Sequence, residues 1–358
     1  MRSNNFLGRN WLSPEMDYTK EEWESLIDVA IDLKRRYALN EDTTDILKNK
    51  TLYTMFFNSS LRTRSTFAAG IQQLGGNHVD LEPGKTYTPA RKGFEIPYKT
   101  ERISDVSRVL SRTGDAIAIR MYGKASHWMY GFAHATLKEF AEWADIPIIN
   151  MEDDVYHPCQ ALADMVTIKE KFHNFKKKKF VISWAYSGST SKPFAVPQSL
   201  ALAPSLLGMD VVLARPKGFE LDPKIIKQCK KYADQNGSSF EETDDMEAAF
   251  EDAHVVYPKS WGAMDYFAQV DENGKKVKEE DLNGMKALFE KNKDWICDEK
   301  KMKLIDKNGI YMHCLPADRD MEVTDAVIDG PQSVVFDEAE NRLHAQKAIM
   351  ALLMNGRF

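Results

Sequence analysis

Two fixed cations and two hydroxyls fall within five residues at Ser60-Leu61-Arg62-Thr63-Arg64, in a run that reads Asn58 to Phe67 without an acidic residue. The run follows an apolar stretch, Thr51 to Phe57, with the β-branched and aromatic content of a buried strand. It opens a stretch in which Phe67, Ile71 and Leu74 recur at helical spacing until Gly75-Gly76 stops the pattern. The arginines therefore stand where a helix begins. A helix start exposes unpaired N–H groups and the positive end of the dipole, and to these Ser60 and Thr63 add hydroxyls while Arg62 and Arg64 add guanidinium forks. That set binds a phosphate. A purely structural alternative makes Ser60 an ordinary N-cap and the arginines a solvated first turn, although basic charge there opposes the dipole.

Other chemistry-bearing groups stand just beyond expected strand ends or at helix starts. Arg120 closes the apolar run Ala116 to Ile119, and in open α/β sheets a side chain at a strand's carboxyl end faces the ligand crevice; an ion-pair role is the alternative. His157-Pro158-Cys159-Gln160 opens a helix with Pro158 suited to its first turn, so His157 and Gln160 are polar groups at that start, or His157 is only its cap. Lys259-Ser260-Trp261-Gly262 follows the strand His254 to Tyr257. His313-Cys314-Leu315-Pro316 follows Ile310 to Met312, and Cys314 reads either as part of a site or as a small buried hydrophobe. Glu338 to His344, with Arg342, opens the last helix.

The elements that must position these groups follow from pattern. Thr19 and Glu22 have the spacing of a capping box before a helix with Trp23, Leu26, Ile27, Ala30 and Leu33 on one face. Strands are expected at His78 to Leu81, Asp115 to Met121, Ile146 to Asn150, Phe180 to Ala185 and Asp210 to Ala214, with helices at Ile103 to Leu110, Phe132 to Trp143, Val196 to Leu207 and Pro223 to Gln235. This alternation predicts an α/β protein of two doubly wound parallel-sheet domains. The boundary is placed at residues 150 and 151, with a first domain 1–150 completed by a C-terminal helix 338–358, and a second domain 151–337. Glu82 to Thr100 is too rich in Pro, Gly and charge to be regular and reads as a functional loop, in which Lys85, Arg91 and Lys92 are either added positive charge or a solvated excursion.

Totals exclude several classes. The chain has 358 residues, long for one core, and 43% are apolar. With 54 acids against 48 bases and no long basic run, nucleic acid and anionic membranes are not expected partners. Four cysteines stand far apart with no CxxC, which argues against zinc or a disulfide framework and for a reducing compartment. A polar start and the lack of a bilayer-length apolar run complete the expectation of a cytoplasmic protein. No GxGxxG follows any strand, so a dinucleotide site is not supported.

Taken together and in order, Ser60-Leu61-Arg62-Thr63-Arg64, His157-Pro158-Cys159-Gln160, His313-Cys314-Leu315-Pro316 and Glu340-Asn341-Arg342-Leu343-His344 resemble the aspartate/ornithine carbamoyltransferases. The resemblance implies a carbamoyl-phosphate domain followed by an amine-acceptor domain, a homotrimer with shared active sites, neither metal nor organic cofactor, and a place in amino-acid biosynthesis within arginine metabolism. It assigns the phosphate to Ser60, Leu61, Arg62, Thr63 and Arg64. The carbonyl oxygen falls to Thr63, Arg120 and His157, and the carbamoyl amide to Gln160 and the main chain around Cys314 and Leu315. Arg342 closes the site. Arg62, Thr63, Arg120, His157 and Cys314 are thereby the catalytic set, with Lys85 and Tyr87 candidates for reaching a neighbouring subunit.

Lys259, Ser260, Trp261 and Gly262, with the Pro-bearing segment Tyr186 to Pro197, look like the N-acetylornithine and N-succinylornithine branch, in which that segment forms part of a trefoil knot in the C-terminal domain. The acceptor is then carried by Lys259, Trp261, Asp318 and Glu322, with N-acetylornithine the expected acceptor. Two residues depart from that branch: Asp318 stands at an arginine position, and Glu322 at that of a lysine that is carboxylated into an anion. Tyr186 to Pro197 and Tyr311 to Asp318 also resemble a knotted branch of transcarbamylases of unassigned acceptor. These features leave ornithine or another diamine as the alternative acceptor, and a non-catalytic paralogue that binds carbamoyl phosphate as the alternative of another class.

Overall fold

The computed structural model describes residues 5–270 and 276–356, which form two compact units, Met1–His127 with Gly131–Val166 and Glu340–Phe358, and Trp128–Tyr130 with Thr167–Ala339. In the first unit, helix α1 (Lys20–Ala38) starts on the expected capping box, in which Thr19 Oγ1 accepts from Glu22 N–H and Glu22 Oε2 from Thr19 N–H. Strand β1 (Thr51–Phe56) leads into helix α2 (Arg62–Gln73), strand β2 (Asn77–Asp80), helix α3 (Ile103–Ser111), strand β3 (Ala116–Arg120), helix α4 (Phe132–Trp143) and strand β4 (Ile148–Glu152). All four strands are parallel, in the order β2-β1-β3-β4. The register sets Phe56 beside Arg120 and Arg120 beside Glu152, so three side chains are delivered at one end of the sheet. Just past that end, Asn58 and Tyr122 exchange bonds of 3.0 and 2.9 Å, which fixes the loop between β1 and α2.

Several elements differ from the sequence pattern. Strand β4 starts two residues later than expected because Pro147 has no N–H for the ladder, and this carries Met151 and Glu152 into the sheet. Helix α2 begins at Arg62 with Leu61 as its N-cap and no side-chain cap, so Ser60 is not the cap. The segment expected to be wholly irregular contains two paired three-residue strands, Thr88–Ala90 and Thr100–Arg102.

Helix α5 (Pro158–Phe172) starts in the first unit and ends in the second. The second unit continues with strand β5 (Lys179–Trp184), helix α6 (Ala195–Leu207), strand β6 (Asp210–Ala214), helix α7 (Pro223–Asn236) and strands β7 (Phe240–Thr243), β8 (Val255–Lys259) and β9 (Ile310–Tyr311). Its sheet is parallel in the order β9-β8-β5-β6-β7. Strand β7 has no counterpart in the sequence reading, since its residues Phe240-Glu241-Glu242-Thr243 are half acidic and sit at an edge. Every residue of α6 is buried, the polar Gln198, Ser199 and Ser205 included, and the remainder of the helix is apolar on all sides, as a covered helix requires.

Helix α8 (Val335–Asn355) begins three residues before the expected start and its later turns belong to the first unit. There Gly70 of α2 lets the two helices approach, since a Cβ at that position would stand 3.0 Å from Met350 Cε. Helix α2 itself ends as its glycines require. Gly75 has φ +83°, and a Cβ there would overlap the Thr44 carbonyl oxygen at 1.7 Å. Gly75→Ala is expected to cost about 2 kcal/mol or more, read as a lowered urea midpoint, whereas Gly84→Ala, where an added Cβ meets nothing within 4 Å, leaves the midpoint within error.

Candidate active site

The first unit gathers residues from five elements into one buried polar chain. Thr63, in the first turn of α2, accepts through Oγ1 from Arg342 Nη2 at 2.7 Å and from Arg120 Nη1 at 3.3 Å. Arg342 Nη1 donates to Gln160 Oε1 at 2.5 Å, and Gln160 Nε2 donates to Asp164 Oδ1 at 2.8 Å. Arg120 pairs with Glu152 Oε2 at 2.6 Å, an oxygen that also lies 3.3 Å from His157 Nε2. All of these side chains are buried. Helix α8 is held for this task by Lys34 of α1, whose ammonium donates to Asn341 at 2.9 Å beside Arg342.

Electrostatics follow from that packing. Burial, with the charges of Arg342, Arg120 and Arg62 around it, pushes His157 well below the usual histidine range, so the ring is neutral and acts as a hydrogen-bonding group. Burial and the nearby Arg120 and Arg62 likewise depress Arg342. Arg62 is thus near enough for its charge to reach both residues. A region in which cations depress one another favours an incoming anion.

Arg64 points elsewhere. Its guanidinium pairs with Asp80 of β2 and lies 4.2 Å from the centre of the Phe56 ring, and Asp80 also accepts from Thr54 Oγ1 at 2.8 Å. Leu61 is exposed, Ser60 half-buried, Lys85 pairs with Glu82, Arg91 with Glu139, and Tyr87 is exposed.

The second unit gathers the later candidates. The Glu322 carboxylate, fully buried, accepts from Lys259 Nζ at 2.9 Å, from Ser260 N–H at 2.6 Å and from Asp318 N–H at 2.8 Å, and lies 3.3 Å from His313 Nε2. Burial alone would raise its pKa, but Lys259 and His313 outweigh that and hold it well below the ordinary 4.5. Lys259 is raised in turn: burial works against its charge and Glu322 overrides it. Asp318 accepts from Lys192 Nζ at 2.8 Å and from Ser187 Oγ at 2.5 Å and is one-third exposed.

The turn after β9 is tied by Leu315 N–H donating to His313 Nδ1 at 2.9 Å, and by His313 N–H donating to Glu338 in the first turn of α8. Cys314 and Leu315 are half-buried on that turn. Trp261 lies in the core with its indole N–H on the Phe219 carbonyl. Among the described residues no group of three or more His, Cys, Asp or Glu is placed to hold a metal ion, and no helix is long and apolar enough to cross a membrane.

Residues 9–170 match the carbamoyl-P binding domain of aspartate/ornithine carbamoyltransferase, and residues 183–353 match its Asp/Orn binding domain. The chain belongs to the aspartate/ornithine carbamoyltransferase family. Among its relatives, the N-acetylornithine carbamoyltransferase of Xanthomonas campestris is 37% identical over 94% of this chain and 96% of its own length. The ornithine carbamoyltransferase of Thermococcus kodakarensis is 39% identical over 95% of each. An acetylornithine transcarbamylase in complex with acetylcitrulline superimposes with a TM-score of 0.86 at 35% identity, covering 97% of this chain and 99% of that one. The ornithine carbamoyltransferase of Pyrococcus furiosus gives 0.78 at 35% identity, over 98% and 99%. The protein is a carbamoyltransferase with the fold expected of the family.

Glu152, Asp164, Ser187 and Lys192 are not among the candidate site residues that the sequence offers, and Glu338 enters only as part of the run that opens the last helix. Asp164 carries a signal, since it stands four residues after Gln160 in a helix and therefore on the same face. Glu152 is hidden by the displaced boundary of β4.

The ion pair in this carbamoyltransferase's second unit makes a pH-dependent prediction. Glu322→Gln leaves Lys259 buried without its counter-charge and is expected to cost about 3 kcal/mol at pH 7. Because the folded Glu322 carboxyl lies below its ordinary 4.5, the stability it supplies is complete above that pH and is lost as pH falls through the folded value. Urea midpoints of the two proteins should therefore differ most at neutral pH and converge on acidification below about 4.5.

Proposed function

We propose that this carbamoyltransferase moves the carbamoyl group of carbamoyl phosphate to the primary amine of an ornithine-like acceptor, with N-acetylornithine the leading acceptor. The observation that carries the donor is the chain Asp164–Gln160–Arg342–Thr63–Arg120–Glu152, with Arg62 at the helix start beside it. In this reading Ser60, Leu61, Arg62 and Thr63 hold the phosphate, and Arg64, whose charge is met by Asp80, contributes its first-turn N–H. Thr63, Arg120 and His157 donate to the carbonyl oxygen, where negative charge grows as the amine attacks. Gln160 and the main chain at Cys314 and Leu315 receive the carbamoyl N–H groups, and Arg342 covers the donor.

The step forms an N–C bond to give a tetrahedral intermediate. The C–O bond to phosphorus then breaks, and the departing phosphate takes the proton released by the amine. Positioning and charge stabilisation carry the rate.

For the acceptor, the relatives support N-acetylornithine and ornithine at similar identity. Lys259 and Ser260, gathered with Glu322, support the acylated amino acid, since Glu322 supplies as a permanent anion what a carboxylated lysine would supply. Asp318 favours the second reading, free ornithine or another diamine, because its one-third-exposed carboxylate suits a cationic group. Homotrimerisation in the cytoplasm belongs to the same proposal. Tyr87, Ile96 and the almost fully exposed Tyr98 offer apolar surface to a neighbouring copy, and none of the four cysteines is in a disulfide.

Arg62→Ala is expected to lower kcat/KM at least about a hundredfold while leaving the thermal midpoint near that of the parent; near-normal turnover would sink the donor assignment. Phosphate release with a panel of amines decides the acceptor. N-acetylornithine should lead, and a strong preference for free ornithine would remove the acyl reading.

A further inference from the structure

We infer that Asp164 is a positioning residue that makes the donor site read an amine on the carbon being transferred, and so selects a carbamoyl phosphate over an acyl phosphate of the same shape. The inference rests on the donor assignment above and goes beyond it.

The amide of Gln160 has two ends of opposite hydrogen-bonding sense. Left to itself in a pocket, such a group can turn over, and its value as a reader of the substrate is then lost. Here two neighbours of fixed sense settle the matter. A guanidinium only donates, and Arg342 Nη1 stands 2.5 Å from one end, which must be Oε1. A carboxylate oxygen accepts, and Asp164 Oδ1 stands 2.8 Å from the other end, which must be Nε2. Turning the amide over would set N–H against N–H on one side and oxygen against oxygen on the other. Asp164 is fully buried, on α5 one turn beyond Gln160, where neither mismatch can be relieved by water.

An amide oxygen accepts two hydrogen bonds, so Oε1 can take a substrate N–H alongside the Arg342 bond. A carbamoyl group offers that N–H. An acetyl group offers a methyl of similar size and leaves the oxygen desolvated, and sites built around such a bond discriminate far better than sites built on shape. Arg342, itself held on Thr63 Oγ1, favours this orientation from one side only. The carboxylate on the far side of the amide fixes it from the other, so that turning over costs two mismatches rather than one.

The test compares dissociation constants of carbamoyl phosphate and acetyl phosphate for the full chain, by calorimetry, in the parent, in Asp164→Asn and in the double variant Gln160→Glu/Asp164→Asn. The parent should prefer carbamoyl phosphate. Asp164→Asn, whose amide accepts either orientation of Gln160, should reduce that preference about tenfold. In the double variant the amide introduced at position 164 donates its N–H to one oxygen of the carboxylate introduced at position 160. The other carboxylate oxygen is then an obligatory acceptor facing Arg342, so most of the preference should return. A merely structural role would weaken both ligands by one factor and leave the ratio unchanged in Asp164→Asn, which overturns the inference while the donor assignment stands. If Asp164→Asn is insoluble the double variant decides: a preference near that of the parent supports the inference, and equal binding of both phosphates overturns it. A parent that binds neither phosphate removes the donor assignment and the inference with it.

Discussion

Thr63 Oγ1 is shared by two buried guanidinium groups, Arg342 at 2.7 Å and Arg120 at 3.3 Å, and the rest of the first unit is arranged around that concentration of like charge. Two cations on one hydroxyl repel each other in a medium that screens poorly, and burial first, with that repulsion added, depresses Arg342. The two carboxylates of the chain sit at its ends, Glu152 on Arg120 and Asp164 on Gln160. Arg62, Arg120 and Arg342 thus lie within one another's field, and the neutral His157 adds no charge. Positive charge held by packing rather than by mobile solvent is what stabilises negative charge in a transition state without reorganisation. The sheet register, the Asn58–Tyr122 clasp and the Lys34–Asn341 bond are the means by which three distant segments are kept in that unfavourable proximity.

The second unit solves the opposite problem. Lys259 is matched by Glu322 and Lys192 by Asp318, two cations against two anions. Under the proposed reading this balance has a chemical use. The attacking amine must be unprotonated, and unpaired carboxylates beside it would raise its pKa and hold it as an ammonium. Carboxylates already saturated by lysine and main-chain N–H groups shape a pocket without doing so. Asp318 keeps partial exposure and is the member of the set with room to meet a ligand.

Much of this was legible in the sequence because local signals carried it. The capping box, the strand-to-helix passage into Arg62, Arg120 at a strand end and the helix opened by Pro158 each depend on neighbours a few residues away, and the structure has them all. What local signals cannot show is pairing. Arg342 meets Thr63 across 279 positions and Gln160 across 182, and nothing near Glu152 announces which cation it will serve. Trp261 illustrates the same limit from the other side. An aromatic beside a lysine and a glycine reads as part of a binding surface, yet its indole is in the core on the Phe219 carbonyl, and only the packing of its neighbours decides between the two.

The pair Arg62 and Arg64 shows how a motif of equal residues divides. In a helix successive side chains are about 100° apart, so positions i and i+2 diverge by about 200° and cannot address the same ligand. With Arg62 as the first helical residue, one arginine must turn toward the field felt by His157 and Arg342 and the other away from it. The one turned away needs a partner, and Asp80 on the edge strand β2, steadied by Thr54, provides it, while the Phe56 ring covers the guanidinium face. The second arginine therefore anchors the start of α2 to the sheet. It is this anchor that allows Thr63, one residue before it and buried, to hold its hydroxyl still between two repelling cations.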